Sequence, residues 1–591
     1  MIQLYISDQP VVVPESVSFT FLLENPYFTK NSNSTLNIEL PLKGCPENLL
    51  IFGHLNRLWT PKKRIVLPAT LINGITILLK GSAIINEITD TYLKVQLVSG
   101  NSEFNFFTNK DYYIDDINLG SAVFPDYNVF VEWLTGVKEK KRFFDTVDSS
   151  DFFWGPVKYD DTIFNSVIWG FSDEEFHPNP YKNIKCVQPY LLAVIKKIVE
   201  FFGYTFNSSY IDNSFLKNVY ICSAAQTTKI AYALPHWTIS EFFDEIERFF
   251  QVVTIVDEIS KTLTLVPLNT FYDNNNIVTI NYKDVLQEYS VNINQKNDKD
   301  LSTSNIGFKL PTISDNGFLK LDRDLLDAAT KYYGDNYDDI YNKWDSMKNT
   351  DMVKSYIFIC MNRYYIDYQK ENKKELLEVN LYSDMIRDDT NTNITELKIV
   401  PAKIVEYNFG RYRHKNDAIF GNPPDADLYL NVPEVSISVD LGKTEYINIQ
   451  EILEGKSSIE SKRTRKDIME VAFNTGIHPV SVNGAQGYYE QYYAIPYTDY
   501  KQTVDRQIGL QAAYSLSLND VCIQSLGHQL KNLAITNTSV SYHIKFKRKY
   551  IPDPKKIFII ANQKYHCVKL EVDVTKDGFS EIIEGEFYRV E

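Results

Sequence analysis

The sequence predicts a β-rich α+β chain of several domains, with antiparallel β barrels or sandwiches at both ends flanking a helix-plus-hairpin centre. Three observations predict it. Apolar residues alternate with polar ones near the start (Ile2, Leu4, Ile6) and near the end (Val540, Tyr542, Ile544, Phe546), which is the period of a half-buried strand. Two middle segments, 188–203 and 238–250, repeat apolar residues at helical spacing instead. The length, 591 residues, exceeds what one hydrophobic core supports, at about 100–200 residues per domain.

Residues 1–110 read as an N-terminal β domain. The alternation continues through Val17, Phe19 and Phe21 and through Leu36, Ile38 and Leu40. Asn73-Gly74 between apolar runs is a type I′ hairpin signal, because both residues accept positive φ. Leu93, Val95 and Leu97 against Tyr92, Lys94 and Gln96 give one buried and one wet face. Residues 111–185 form an irregular, aromatic and acidic connecting region.

An α+β module follows over 186–290. Its first helix is expected to open at Gln188-Pro189, with proline at the first helical position. That helix buries Leu191, Leu192, Ile195, Ile198, Val199 and Phe202, and stops at Gly203. The second opens on the capping box Thr238-Ile239-Ser240-Glu241. It buries Ile239, Phe242, Phe243, Ile246, Phe249 and Phe250, and turns Glu241, Asp244, Glu245 and Glu247 toward water. Val252–Val256 and Thr262–Val266 then make a hairpin through Asp257–Lys261.

Residues 291–394 combine a polar linker near Asn292–Ser304 with a charged, helix-leaning insertion from Leu319 to about Lys374. From about Leu397 β structure returns, and 395–591 read as a C-terminal β domain. Its end is a meander of Ile557–Ile560, Tyr565–Val574, the turn Lys576-Asp577-Gly578, and Ile582–Val590. Such an end is tied into a sheet.

The 40 Tyr and 35 Phe against 24 Gly fit strands and large contact surfaces, since tyrosine joins an apolar body to a polar tip. AT-rich coding explains the same bias. A net charge of −15 argues against a nucleic-acid binder, which needs a basic face. The basic runs Lys138–Arg142 and Lys462–Lys466 read as solvated faces. No signal-peptide pattern opens the sequence. The best apolar stretch, Leu191–Phe202, is split by Lys196 and Lys197, short of the roughly 18 residues a membrane span requires. Synthesis in a cytoplasm and no membrane insertion are therefore expected. Cysteines 45, 186, 222, 360, 522 and 567 contain no CxxC pair, so buried free thiols are expected and a zinc site is not.

Catalytic signatures are absent. Gly484-Ala485-Gln486-Gly487 matches neither phosphate-binding fingerprint and reads as a turn. The eight histidines lie far apart. His543 falls on the polar face of its strand with Lys545 and Lys547. His566-Cys567 are strand neighbours that point to opposite faces, which defeats a Cys/His pair. Asp173-Glu174-Glu175 before His177 is the most site-like acidic cluster and would serve a glycan hydrolase, yet it has no visible companion. Asp335, Asp338 and Asp339 lack the alternating spacing and closing glutamate of a calcium loop. No catalytic, cofactor-binding or metal-binding residue is assigned, and no cofactor is expected.

Several segments, in order, resemble one family, the long tail proteins of phages and prophages of Bacteroidetes hosts, related to the baseplate hub proteins of phage tails. They are Pro14–Phe19, Glu24-Asn25-Pro26-Tyr27-Phe28, Leu36–Leu42 and Ile51–Arg57; then Pro189-Tyr190-Leu191 through Thr205, and Thr238–Phe250 with its hairpin. Ile557–Ile560, Asn562, Lys564, Tyr565, Cys567, Gly578 and Gly585-Glu586-Phe587-Tyr588 complete the set. They span most of the chain outside 319–374, and none of these residues carries chemistry.

The resemblance implies a non-enzymatic virion protein with tube-like β domains at both ends, three chains presenting six similar units to a sixfold tail tube. Implied partners are the chain itself as a homotrimer, the tail tube protein, and distal tail, baseplate, spike or fibre proteins. DNA would only pass through, and negative charge lining a channel would keep it from sticking. Two other readings stay open: a tail or neck ring or adaptor of different symmetry, and a surface-glycan hydrolase or adhesin around Asp173–His177.

Overall fold

The computed structural model describes residues 2–61, 65–108, 112–122, most of 151–380, the strands and short segments within 395–435 and 468–498, a few positions between 515 and 526, and 536–590. The molecule is β-rich and multidomain, with several sheets, mostly antiparallel, and few helices. That is the fold class expected from the patterning.

Fourteen strands, β1–β14 in chain order, share one sheet. The first hundred residues supply β1 (Ile2–Ile6), β2 (Gln9–Pro10), β3 (Ser18–Glu24), β4 (Asn33–Thr35), β5 (Ile38–Pro41), β6 (Val66–Asn73), β7 (Thr76–Ile88) and β8 (Tyr92–Ser99). The end of the central module supplies β9 (Ile277–Ile280) and β10 (Val285–Ile293). The C-terminus supplies β11 (Thr536–Lys547), β12 (Ile557–Ile560), β13 (Gln563–Thr575) and β14 (Gly578–Val590). The path runs β2-β1-β6-β7-β8-β4-β3-β13-β14-β11-β10, with β5 on β8, β12 on β13 and β9 on β12. It stays open at β2 and β10, so no closed barrel forms among the described residues.

The two ends of the chain meet at β3 and β13, antiparallel from Ser18↔Thr575 to Glu24↔Lys569. The alternation read from the sequence decides which side chains face in. Phe19 and Phe21 join Leu4, Leu40, Leu71 and Val95 in one core, and Val574 enters it from β13. A second core holds Val278, Phe546, Phe558, Leu570 and Phe587, and Leu23 packs against both. Each such side chain contributes roughly 1.5–3 kcal/mol of burial. Leu36, expected in this alternation, is 52% exposed, because it precedes β5, where Ile38 and Leu40 take the inward positions.

The β6–β7 turn differs from the expectation. Asn73 is the last residue of β6 and pairs with Thr76, and of the two candidate turn residues only Gly74 takes a positive φ, 61°. The loop is therefore Gly74-Ile75. Glycine in first place is the type II′ pattern, not the Asn-Gly type I′ one.

In the centre, α1 (Gly100–Thr108), α2 (Leu191–Phe201) and α3 (Ile239–Phe250) enclose a core that includes Phe104, Leu191, Ile195, Trp237, Phe242 and Phe249. The hairpin Val252–Asp257/Thr262–Pro267 follows α3 as expected. Helix α2 starts later than the proline suggests. Gln188–Pro189 is extended and pairs with Phe152–Phe153, and Tyr190 is the N-cap. Gly203 beyond its end takes φ 79°.

Helix α3 begins where the capping box places it, with Thr238 Oγ1 accepting from the Glu241 N–H at 3.2 Å. Its acidic face is not uniformly wet. Glu245 and Glu247 are buried. Glu245 accepts from the Lys398 N–H at 2.8 Å. Glu247 accepts from the Thr254 N–H at 2.8 Å and pairs with Lys30. Helical periodicity separates charged from apolar positions and says nothing of which charges find partners.

The strands between 395 and 498 attach partly to this centre. Val219–Ile221 pairs antiparallel with Met469–Gly484, which runs parallel to Ile399–Pro401. Among the described residues, the helix-leaning reading of 319–374 holds chiefly for α4 (Tyr337–Met347) and a short 3-10 turn at Asp351–Ser355. Around it lie strands Leu319–Lys320, Thr330–Tyr333, Tyr356–Cys360, Arg363–Lys370 and Lys373–Asn380 in one five-stranded sheet. High charge density masked a period of two, visible in retrospect as Ile357 and Ile359 against Phe358 and Cys360, two faces that enter separate cores.

Candidate functional site

Among the described residues, those singled out from the sequence do not assemble into a catalytic constellation. Asp173–Glu175, Lys138–Arg142, Lys462–Lys466 and Cys522 lie outside the described residues. His177 sits opposite Gly170 in a two-stranded ribbon. Gly484 faces Gly487 and closes a hairpin, as a turn should. Asp338 and Asp339 occupy the first turn of α4, where Asn336 caps the Asp339 N–H at 2.9 Å, so these acids complement a helix N-terminus. Cys45, Cys186, Cys222, Cys360 and Cys567 are buried free thiols, as expected.

His566 and Cys567 point apart. The His566 ring stacks on Tyr272, centroids 3.8 Å apart and planes 10° from parallel, and burial pushes its pKa down to about 4. Cys567 enters the C-terminal core, where burial pushes the thiol well above its ordinary value. A neutral imidazole and a protonated thiol on opposite faces make a packing joint.

That joint centres on Asn25. This fully buried residue caps the turn Pro26–Thr29, its Oδ1 accepting from the Tyr27 N–H at 3.1 Å. Its Nδ2 donates to the Cys567 carbonyl at 2.8 Å, to the Tyr272 hydroxyl at 2.9 Å and to the Pro554 carbonyl at 3.3 Å. Phe28 then meets Tyr588 edge to face at 5.1 Å. One carboxamide thus ties together the start, the centre and the end of the chain.

The two ends of the large sheet are built differently. At β2 the edge carries Pro10, which lacks an N–H, and the strand is two residues long; both features blunt an edge. At β10 the edge is nine residues long and pairs only with β11 among the described residues. Tyr289, Val291 and Ile293 lie opposite Ile544, Tyr542 and Val540, on the core-facing side, yet are 68%, 40% and 74% exposed. The apolar face runs past the core and stays bare. On the other face a groove of about 380 Å³ is lined by Asn292, His543, Lys545, Lys569, Glu584 and Glu586. Asn292 Nδ2 lies 3.0 Å from His543 Nε2, and Lys569 pairs with Glu571 at 2.9 Å, a contact that holds the ammonium above its ordinary pKa. Lys545 and Lys569 thus pair with the glutamates beside them. The bare apolar edge has the geometry for strand addition.

A third cluster was invisible in the sequence, because its partners are 121 residues apart. His236 Nδ1 lies 2.8 and 3.0 Å from the two Asp115 carboxylate oxygens. Its ring stacks on Tyr113 at 3.8 Å and 13°, and Asp116 completes the group. Burial raises the Asp115 pKa against the lowering effect of its hydrogen bond to His236, and the Asp116 charge adds to the rise.

No helix among the described residues is long and apolar enough to cross a membrane. No family model matches this chain, and no curated protein does. Among solved structures it is similar to the 43 kDa tail protein of prophage MuSo2 from Shewanella oneidensis, at 7% identity and TM-score 0.31, covering 100% of this chain and 98% of that one. It is similar to a tail protein from Neisseria meningitidis MC58 at 6% and 0.27, covering 100% and 96%. A third is the prophage tail protein gp18 from Listeria monocytogenes EGD-e, at 8% and 0.25, covering 99% and 94%.

Proposed function

We propose that this chain is a non-enzymatic structural protein of a phage tail, a hub near the tip that joins the tail tube to tip or receptor-binding parts and surrounds the DNA exit channel. The observation that carries the reading is where the resembling segments come together. Those of the first sixty residues and of the last forty are far apart in sequence. In the fold Asn25 holds the carbonyl of Cys567, and Phe28 packs on Tyr588. Two resembling stretches from opposite ends of the sequence thus meet in one joint. The bare edge of β10 supports an assembling role, since a long apolar edge left open invites pairing with another chain. The buried imidazole and thiol at 566–567 support a role without catalysis.

In this reading the chain is a homotrimer in the virion tail, contacting the tail tube protein on one side and baseplate, spike or fibre proteins on the other. Native mass spectrometry of the purified chain, alone and with the tail tube protein of the same phage, tests it. A discrete trimer that recruits tube subunits is expected. A monomer, or a sixfold or twelvefold ring, would overturn the hub in favour of a ring or adaptor.

A further inference from the structure

We propose that Asp115, Asp116 and His236 form a binding site for one divalent transition-metal cation of the zinc or manganese class. One ligand atom from each residue falls within 4.8 Å of the other two. A coordination sphere with bonds of about 2.0–2.2 Å keeps its ligand atoms within roughly 4.4 Å of one another, so the three groups are close enough to converge on one ion with at most a small adjustment.

The three side chains are held before any ion arrives. Segment 112–122 runs alongside the start of α3, with the Ile114 N–H donating to the Trp237 carbonyl at 2.9 Å and the Ile239 N–H donating to the Tyr112 carbonyl at 3.2 Å. Tyr113 and Thr238 form an antiparallel bridge, and Tyr113 also fixes the His236 ring by stacking on it. The imidazole is oriented by Tyr113, and the two carboxylates are carried by a backbone segment that is itself tied to the start of α3.

Charge argues in the same direction. Asp115 is buried, and a buried carboxylate is costly unless paired. The charges that act on it most are His236, which is favourable, and Asp116, which repels. A divalent cation would offset the repulsion between the Asp115 and Asp116 carboxylates. Asp116 is exposed, which leaves a path for the ion and room for water to complete its sphere. One nitrogen and two carboxylate donors, without a thiolate, select zinc, manganese or their neighbours over calcium and magnesium, which take oxygen alone. A bound ion would stand where Asp115 and His236 now share a proton, and would clamp the 112–122 segment to α3.

The test is calorimetric titration of the full-length chain, stripped with chelator, with zinc chloride and separately with manganese chloride, followed by thermal melts. One ion per chain is expected, with a rise in melting temperature. Asp116→Asn, an exposed change, should keep the fold and weaken binding at least tenfold, and His236→Gln should abolish it. If Asp115 and His236 are only a structural pair, Asp116→Asn changes nothing. Unchanged affinity in that variant, no saturable binding by the unmodified chain, or equal affinity for calcium would each overturn the site.

Discussion

Replacing Asn25 should loosen the joint between the two ends of the chain. The carboxamide is fully buried, and its Nδ2 has two hydrogens for three acceptors, the Cys567 carbonyl at 2.8 Å, the Tyr272 hydroxyl at 2.9 Å and the more distant Pro554 carbonyl. Asn25→Ala removes an N-cap, which costs about 1 kcal/mol. It also takes a partner from two buried polar groups, at about 1–3 kcal/mol each. The total is about 3–7 kcal/mol, and each kcal/mol moves the melting midpoint of a unit of this size by roughly 2–4 °C. Hydrogen exchange is the better assay, because a multidomain chain does not unfold in one step. The amides of β13 and β3 should lose protection together, while those of α3 keep theirs. Asn25→Asp is the sharper control. At neutral pH it sets a carboxylate against two carbonyl oxygens and should be worse than alanine, recovering as acid restores a donor. If both variants leave β13 protection within about 1 kcal/mol of the unmodified chain, the carboxamide is not what ties the ends together.

Two further outcomes follow from single residues. The His566 pKa lies at about 4 in the fold against about 6.5 unfolded, so the unfolded chain binds the proton first. The stability this neutral ring contributes is complete above about pH 6.5 and falls progressively as pH drops toward 4, by about 3 kcal/mol in all; His566→Phe, which preserves stacking on Tyr272, should flatten the stability–pH curve of the end sheet over that window, and an unchanged curve would refute the assignment. Val291→Lys, on the bare edge of β10, should abolish self-association in native mass spectrometry while shifting stability by no more than about 0.5 kcal/mol, and undiminished oligomer would show that this edge is not a subunit contact.

Much of the architecture was legible in the sequence, for identifiable reasons. Alternation at Ile2–Ile6, Phe19–Phe21 and Val540–Phe546 reports a face, and a face with one buried side leaves little freedom. The capping box at Thr238 is local chemistry and was read to the residue. Failures came where a local signal competed with a distant one. Pro189 looks like a helix start, and a pairing with Phe152, 37 residues earlier, holds it extended. Glu245 and Glu247 look solvated until Lys398 and Lys30 arrive from elsewhere. Asp115 and His236 carry no motif, since nothing in either neighbourhood specifies the other.

The β3–β13 pairing is the extreme of that class, and it constrains how the molecule forms. Phe19 and Val574 are joined across almost the whole chain, so no window of sequence contains both. Loop closure over such a separation is entropically costly, though the cost grows only with the logarithm of length. Its larger effect is kinetic, since long-range strand pairing is slow and exposes unpaired edges while it waits. Until 563–575 are synthesised, β3 has β4 on one side and nothing yet made for the other. The core of Phe19, Phe21 and Leu71 must then stand without Val574. The N-terminal strands therefore complete their sheet only when the rest of the chain exists.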